Sequence, residues 1–133
     1  MGIDYGARRI GVARSDENGM IAFPLRTIEY RVRKDAIAAL RKICDDGIEA
    51  IVMGLPIGLD GKETDETEEV RQFAADLAKA VTPPIYFENE MLTSRMAYDA
   101  GMRGGDIDAS SAAIILQSYL DRNQNDKIQM TNQ

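Results

Sequence analysis

In this 133-residue sequence histidine is missing and cysteine occurs once, as Cys44. That excludes serine–histidine and cysteine–histidine catalysis, histidine-ligated metals, cysteine zinc sites and a disulfide framework. Carboxylates are left as the strong ligands and acid/base groups. Asp4 sits in Gly2-Ile3-Asp4-Tyr5-Gly6, Glu88 and Glu90 follow the apolar run Ile85-Tyr86-Phe87, and Asp108 stands at the head of the last helical stretch. With Ile3 and Tyr5 facing one side of a first strand, Asp4 faces the other, at the strand's end, where an ionised carboxylate needs a metal or a cationic partner. Each acid also has an ordinary structural use. Asp-Tyr-Gly is common turn chemistry, Glu90 suits a surface helix start, and Asp108 suits an N-cap favoured by the helix dipole.

The elements that would position these acids follow from periodicity. Gly2-Ile3 and Ile10 to Ser15 flank a turn centred on Gly6, a tight hairpin; Asp16-Glu17-Asn18-Gly19 is a second turn, and Met20 to Tyr30 reads as a third strand. Pro24 near its start suggests an edge position. Arg33 to Cys44 shifts to helical spacing and is stopped by Asp45-Asp46-Gly47. Ile48 to Leu55 is almost unbroken in apolar character, the signature of a buried parallel strand. Ile57 to Glu68 has no periodicity and reads as a mobile loop. Asp65 and Glu68 are then candidate caps for a helix whose buried stripe is Val70, Phe73, Ala74, Leu77 and Val81. Pro83-Pro84 ends it, and Ile85 to Phe87 makes a fifth strand, joined to the fourth by a right-handed crossover. A helix starting at Thr93 or Ser94 carries Met96, Ala97 and Ala100. A last one, opened by Ile107-Asp108, turns Ala112, Ile115, Leu116 and Tyr119 inward, and Asn123 to Gln133 is polar and expected to fray. Met20, Met53 and Met96 are expected to fill the core.

This order predicts a single α/β domain over 1–122 with a polar tail over 123–133. Its sheet is mixed and five-stranded, three antiparallel strands followed by two parallel ones, with helices on both faces. In such sheets sites form at the carboxyl ends of the strands, where Asp4, Glu88, Glu90 and Asp108 could meet. The absence of a long apolar run argues against a membrane span, and the lone cysteine fits a reducing cytoplasm. The net charge of −6 is unevenly spread: residues 1–42 sum to +4 and 43–133 to −10. A basic patch on an acidic body still holds a phosphate backbone, because binding follows the local field.

Five blocks, in order along nearly the whole chain, resemble the YqgF family of ribonuclease H-like proteins, known as Holliday junction resolvases and as pre-16S rRNA nucleases. They are Gly2-Ile3-Asp4-Tyr5-Gly6 with Arg9-Ile10-Gly11-Val12-Ala13; Ser15-Asp16 with Ala22, Pro24-Leu25 and Thr27-Ile28; Gly54-Leu55-Pro56 with Asp60-Gly61, Val70-Arg71 and Phe73-Ala74; Glu90 with Leu92-Thr93-Ser94 and Ala97; and Asp108 with Ala112, Ile115-Leu116-Gln117 and Tyr119-Leu120-Asp121. The resemblance implies an active site of Asp4, Glu90 and Asp108. Three close carboxylates cannot all ionise without a cation, so one or two divalent ions, Mg²⁺ or Mn²⁺, are implied. Two such ions orient the attacking water and stabilise the leaving oxygen of a phosphodiester.

Arg9, Thr93, Ser94 and Arg95 are the expected phosphate contacts, and Arg8, Arg14, Arg31 and Arg33 either extend that surface or are ordinary solvated charges. The function expected is processing of the pre-16S rRNA 5′ end in the cytoplasm by a metal-dependent nuclease. Alternatives are a Holliday junction resolvase acting on four-way DNA, for which a two-fold homodimer is better suited than a monomer, and a non-catalytic nucleic-acid-binding or interaction module. The last is kept open by two departures: where the family signature has Asp-Glu-Arg, this chain has Asn89-Glu90-Met91, losing one acid and one guanidinium. The opening motif is also shared with actin-like and sugar-kinase ATPases, which need two such domains where 133 residues hold one.

Overall fold

The computed structural model describes residues 1–89 and 105–131. Strands β1 (Gly2–Asp4), β2 (Arg9–Ser15) and β3 (Ala22–Glu29) are followed by α1 (Arg33–Cys44), β4 (Ile51–Leu55), α2 (Asp65–Ala80), β5 (Ile85–Asn89) and α3 (Gly105–Thr131). The sheet order is β3-β2-β1-β4-β5, antiparallel through β1 and parallel from β1 to β4 to β5. The mixed five-stranded sheet expected from the sequence is the one observed, with β3 and its Pro24 at the edge.

Period-two alternation sorts the sheet into two layers. Ile3, Ile10, Val12, Ile51, Met53 and Leu55 pack with Leu40 of α1 and with Val70, Phe73 and Leu77 of α2. Ala13 and Val52 pack on the other face with Ala112, Ile115 and Leu116 of α3. This second layer is thin because the sheet there is made of small residues. A Cβ on Gly2 would lie 2.7 Å from the Ala112 carbonyl oxygen, and one on Gly11 would lie 1.8 Å from that of Asp108. The bare backbone at both positions lets α3 lie directly on β1 and β2.

Several boundaries differ from expectation. α2 begins within the stretch read as a mobile loop, and its cap is Thr64, not Asp65 with Glu68. The Thr64 hydroxyl accepts from the Thr67 amide while the Thr67 hydroxyl accepts from the Thr64 amide, a reciprocal box in which threonine replaces the usual Glu or Gln. The Thr67 hydroxyl also donates to the Pro56 carbonyl, which ties the loop to the end of β4. Met20 is 53% exposed instead of core, ahead of the first residue of β3, whereas Met53 is fully buried. α3 starts at Gly105, so Asp108 lies inside its first turn instead of capping it, and the helix runs through Thr131, across the segment expected to fray. Met96 and the helix expected after Thr93 lie outside the described residues.

Replacing Gly11 by alanine is expected to destabilise the domain by about 3 kcal/mol or more, since the clash is with helix backbone and not with a side chain that can turn away. Urea unfolding of Gly11→Ala against the unsubstituted chain measures it.

Candidate nucleic-acid-processing site

The β1–β2 register pairs Asp4 with Gly11, and the backbone of Asp108 rests on Gly11. Asp4 alternates with Ile3, which faces α1 and α2, so its side chain is on the α3 side. The first and third of the expected acids therefore lie on one face, at the carboxyl end of β1, on neighbouring strands and the helix above them. Glu90, the second, lies outside the described residues, as do Thr93, Ser94 and Arg95.

Asp108 is held where its charge is costly. Its side chain is 22% exposed and Arg9 Nε approaches Oδ2 at 3.1 Å. The N–H is not aligned on that oxygen, and Oδ2 is buried with no hydrogen-bond partner among the described residues. Burial pushes the Asp108 carboxyl above the ordinary aspartate value, and the Arg9 guanidinium offsets only part of that. Ser111, one turn further along α3, buries its Oγ in the same unpartnered way. Orphaned buried oxygens carry a desolvation cost that persists unless a ligand answers it.

Glu88 reaches the same face, one register step beyond Tyr86, which stacks on Tyr119 of α3 with ring centroids 5.7 Å apart. It does not join Asp4 as a free acid. Arg122 Nη1 donates to Glu88 Oε1 at 3.1 Å, and Nη2 comes within 2.6 Å of Oε2. Continuing the β1–β4 register puts Asp4 level with Gly54, whose neighbour on β5 is Glu88, two strands from Asp4 or about 10 Å at Cα. Sequence reading did not anticipate the Arg122 partner, which comes from the segment taken to precede a tail.

The remaining cations separate cleanly. Arg14 is engaged by Asp46 at 2.7 Å and Arg33 by Asp76 at 2.9 Å, while Arg33 also lies 5.9 Å from the Phe73 ring centroid, so these two serve the scaffold. Arg8 and Arg31 are exposed. Tyr5 packs on Phe73 with ring centroids 4.6 Å apart. Oxygen ligands from two aspartates, one with a buried orphan oxygen, suit a hard divalent cation. Among the described residues no group of three acidic or cysteine side chains is close enough to hold one.

A profile of the RuvX family, described as Holliday junction resolvase, matches residues 1–122. The chain belongs to the RuvX family. Its relatives include a protein of Nitratidesulfovibrio vulgaris, provisionally named a pre-16S rRNA nuclease, that is 41% identical over 129 residues, covering 90% of this chain and 91% of the relative. A Maridesulfovibrio salexigens protein of the same provisional name is 37% identical over 131 residues, covering 92% and 97%. In structure the RuvX chain is similar to the fowlpox virus resolvase solved with Holliday junction DNA, at a TM-score of 0.56 over 91% of this chain and 95% of that one; the 8% identity makes this a likeness of fold alone. The family and the ribonuclease H-like sheet expected from the sequence are both borne out.

Because the charged form is the one that burial penalises, Asp108→Asn is expected to raise the melting temperature of the metal-free chain at pH 7. The gain should fade as pH falls from the raised value of the folded carboxyl to the free aspartate value of about 4, below which the carboxyl is neutral in both states. Calorimetry of both proteins from pH 3 to pH 8, a range of roughly the values that bracket carboxylate titration, checks the sign.

Proposed function

We propose that this RuvX chain is a divalent-metal-dependent nuclease that hydrolyses phosphodiester bonds in structured nucleic acid, with the 5′ end of precursor 16S rRNA as its substrate. One observation carries the chemistry: Asp4 and Asp108, 104 positions apart in the numbering, share a face at the rim of the sheet through the Gly11 contact. Glu90 is assigned as the third carboxylate. It carries that role in the family block the sequence resembles, Glu90 with Leu92-Thr93-Ser94.

Asp4, Glu90 and Asp108 would hold one or two ions, Mg²⁺ or Mn²⁺. Bound there, the ions would supply orientation of the attacking water and neutralisation of the departing oxygen. The chain's own part is positional. β1 and α3 fix the two aspartates on a rigid base, and Arg9 offsets part of the burial that disfavours the charged form of Asp108. Arg9, with Thr93, Ser94 and Arg95, is assigned to the phosphates on either side of the scissile bond.

The relatives at 41% and 37% identity support ribosomal RNA as substrate and hence work in the cytoplasm. The family description favours a second reading, cleavage of four-way DNA junctions by a homodimer. Among the described residues no helix is long and apolar enough to cross a membrane.

Incubation with precursor 16S rRNA and Mn²⁺ is expected to give a shortened 5′ end, with Asp4→Asn and Glu90→Gln each reducing the rate by more than about 100-fold. A four-way DNA junction run in parallel decides between the substrates. Cleavage that survives both substitutions, or that proceeds in excess chelator, contradicts the assignment.

A further inference from the structure

Beside the site, the β1–β2 turn and the segment after β3 enclose an open groove of about 1190 Å³ lined by Arg8, Arg9, Tyr30 and Arg31. That exceeds the ~300–1,000 Å³ of a small-molecule pocket and leaves room for a segment of polymer. Its walls are fixed. The Tyr30 amide donates to the Arg8 carbonyl at 3.0 Å, and the Tyr30 hydroxyl donates to the Gly6 carbonyl at 2.6 Å, so the turn that carries Arg8 is tied to the segment that carries Arg31.

We infer that this groove holds the phosphodiester backbone of the substrate strand on one side of the cleaved bond, with Arg8 and Arg31 as its phosphate contacts. The inference rests on the proposed nuclease function and adds where the strand runs. Three observations support it. Arg8 and Arg31 make no ion pair with the described acids, unlike Arg14, Arg33, Arg71 and Arg122, which are engaged by Asp46, Asp76, Glu63 and Glu88. The groove adjoins the site at Arg9, a residue that lines it and whose guanidinium touches Asp108. The Tyr30 hydrogen bonds to the Arg8 and Gly6 carbonyls tie together the two backbone segments that carry Arg8 and Arg31. Glu29 and Asp35 line the same groove. They leave it only modestly cationic, so the contacts position the strand and base sequence is not read there. Glu29 is exposed, and removing its charge should tighten binding.

The test is fluorescence anisotropy of a labelled single-stranded RNA, in chelator so that nothing is cut, across a series of salt concentrations. For Arg8→Gln/Arg31→Gln the slope of log K against log salt should fall by about 1.4 and affinity at 0.1 M salt by roughly 25-fold, the counterion-release value for two single-strand phosphates. Arg8→Lys/Arg31→Lys should restore most of both, Glu29→Gln should bind more tightly, and Arg14→Gln, whose partner is Asp46, should match the unsubstituted chain. An unsubstituted chain that binds RNA with a slope the double Gln variant leaves unchanged overturns this path while sparing the proposed function. A chain that binds no RNA at any salt but keeps its fold removes both.

Discussion

The contact between the first turn of α3 and Gly11 is the constraint on which the site depends. Backbone meets backbone there, with no room for a methyl group. Because Gly11 is the cross-strand partner of Asp4, the same contact that seats the helix brings Asp108 over the neighbouring strand. Gly2 repeats the arrangement further down β1 against Ala112 and Leu116, so the helix is guided along β1 by two missing side chains. The opposite face is built differently. There the branched and aromatic side chains Ile3, Ile10, Val12, Phe73 and Leu77 make a thick core, and burial at roughly 25 cal/mol per Å² of apolar surface supplies most of the domain's stability. One layer holds the domain together, and the other places the carboxylates.

That division explains why the α3 side carries unsatisfied polar atoms. Asp108 Oδ2, Glu88 Oε2 and Ser111 Oγ, buried with no aligned hydrogen-bond partner among the described residues, come from the same face of the sheet or the helix on it. Local strain and unanswered polarity gather at functional sites because the surrounding structure is stable enough to carry them. Two arginines temper the charge in different ways. Arg122 grips Glu88 with both terminal nitrogens and packs 5.9 Å from the Tyr119 ring, joining α3 to β5. Arg9 touches Asp108 through a single nitrogen from a half-exposed position, without the two-point grip that Arg122 has on Glu88.

Much of the architecture was legible in the sequence because periodicity carries it. The unbroken apolar run ending at Leu55, the alternation around Ile10 and Val12, and Pro24 at the edge gave strand type and order. The reading faltered where local residues compete. Asp65 and Glu68 looked like the better cap, but Thr64 and Thr67 hold it because the Thr67 hydroxyl is also claimed by the Pro56 carbonyl, a tertiary contact that no local pattern shows. Met20 looked like core by composition and lies outside it, since the turn formed around Asp16 holds it ahead of the start of β3. The Asp16 carboxylate accepts from the Met20 and Ile21 amides in that turn. Asp4 and Asp108 could be named as candidates, but only the resemblance chose them over turn and cap. Gly11 was the available physical signal, because a glycine inside a strand marks close backbone approach. The pairings of Arg122 with Glu88 and of Arg9 with Asp108 join residues distant in sequence and had no local sign.

The proposal that Asp4 and Asp108 serve one shared cation is tested most directly by a double-substitution cycle on Mn²⁺ affinity, read by electron paramagnetic resonance of the free ion. If both oxygens answer the same ion, Asp4→Asn and Asp108→Asn each weaken binding strongly and the pair together does little more than either alone. Additive losses, or an Asp108→Asn chain that binds Mn²⁺ as tightly as the unsubstituted one, would show that the two carboxylates serve separate purposes.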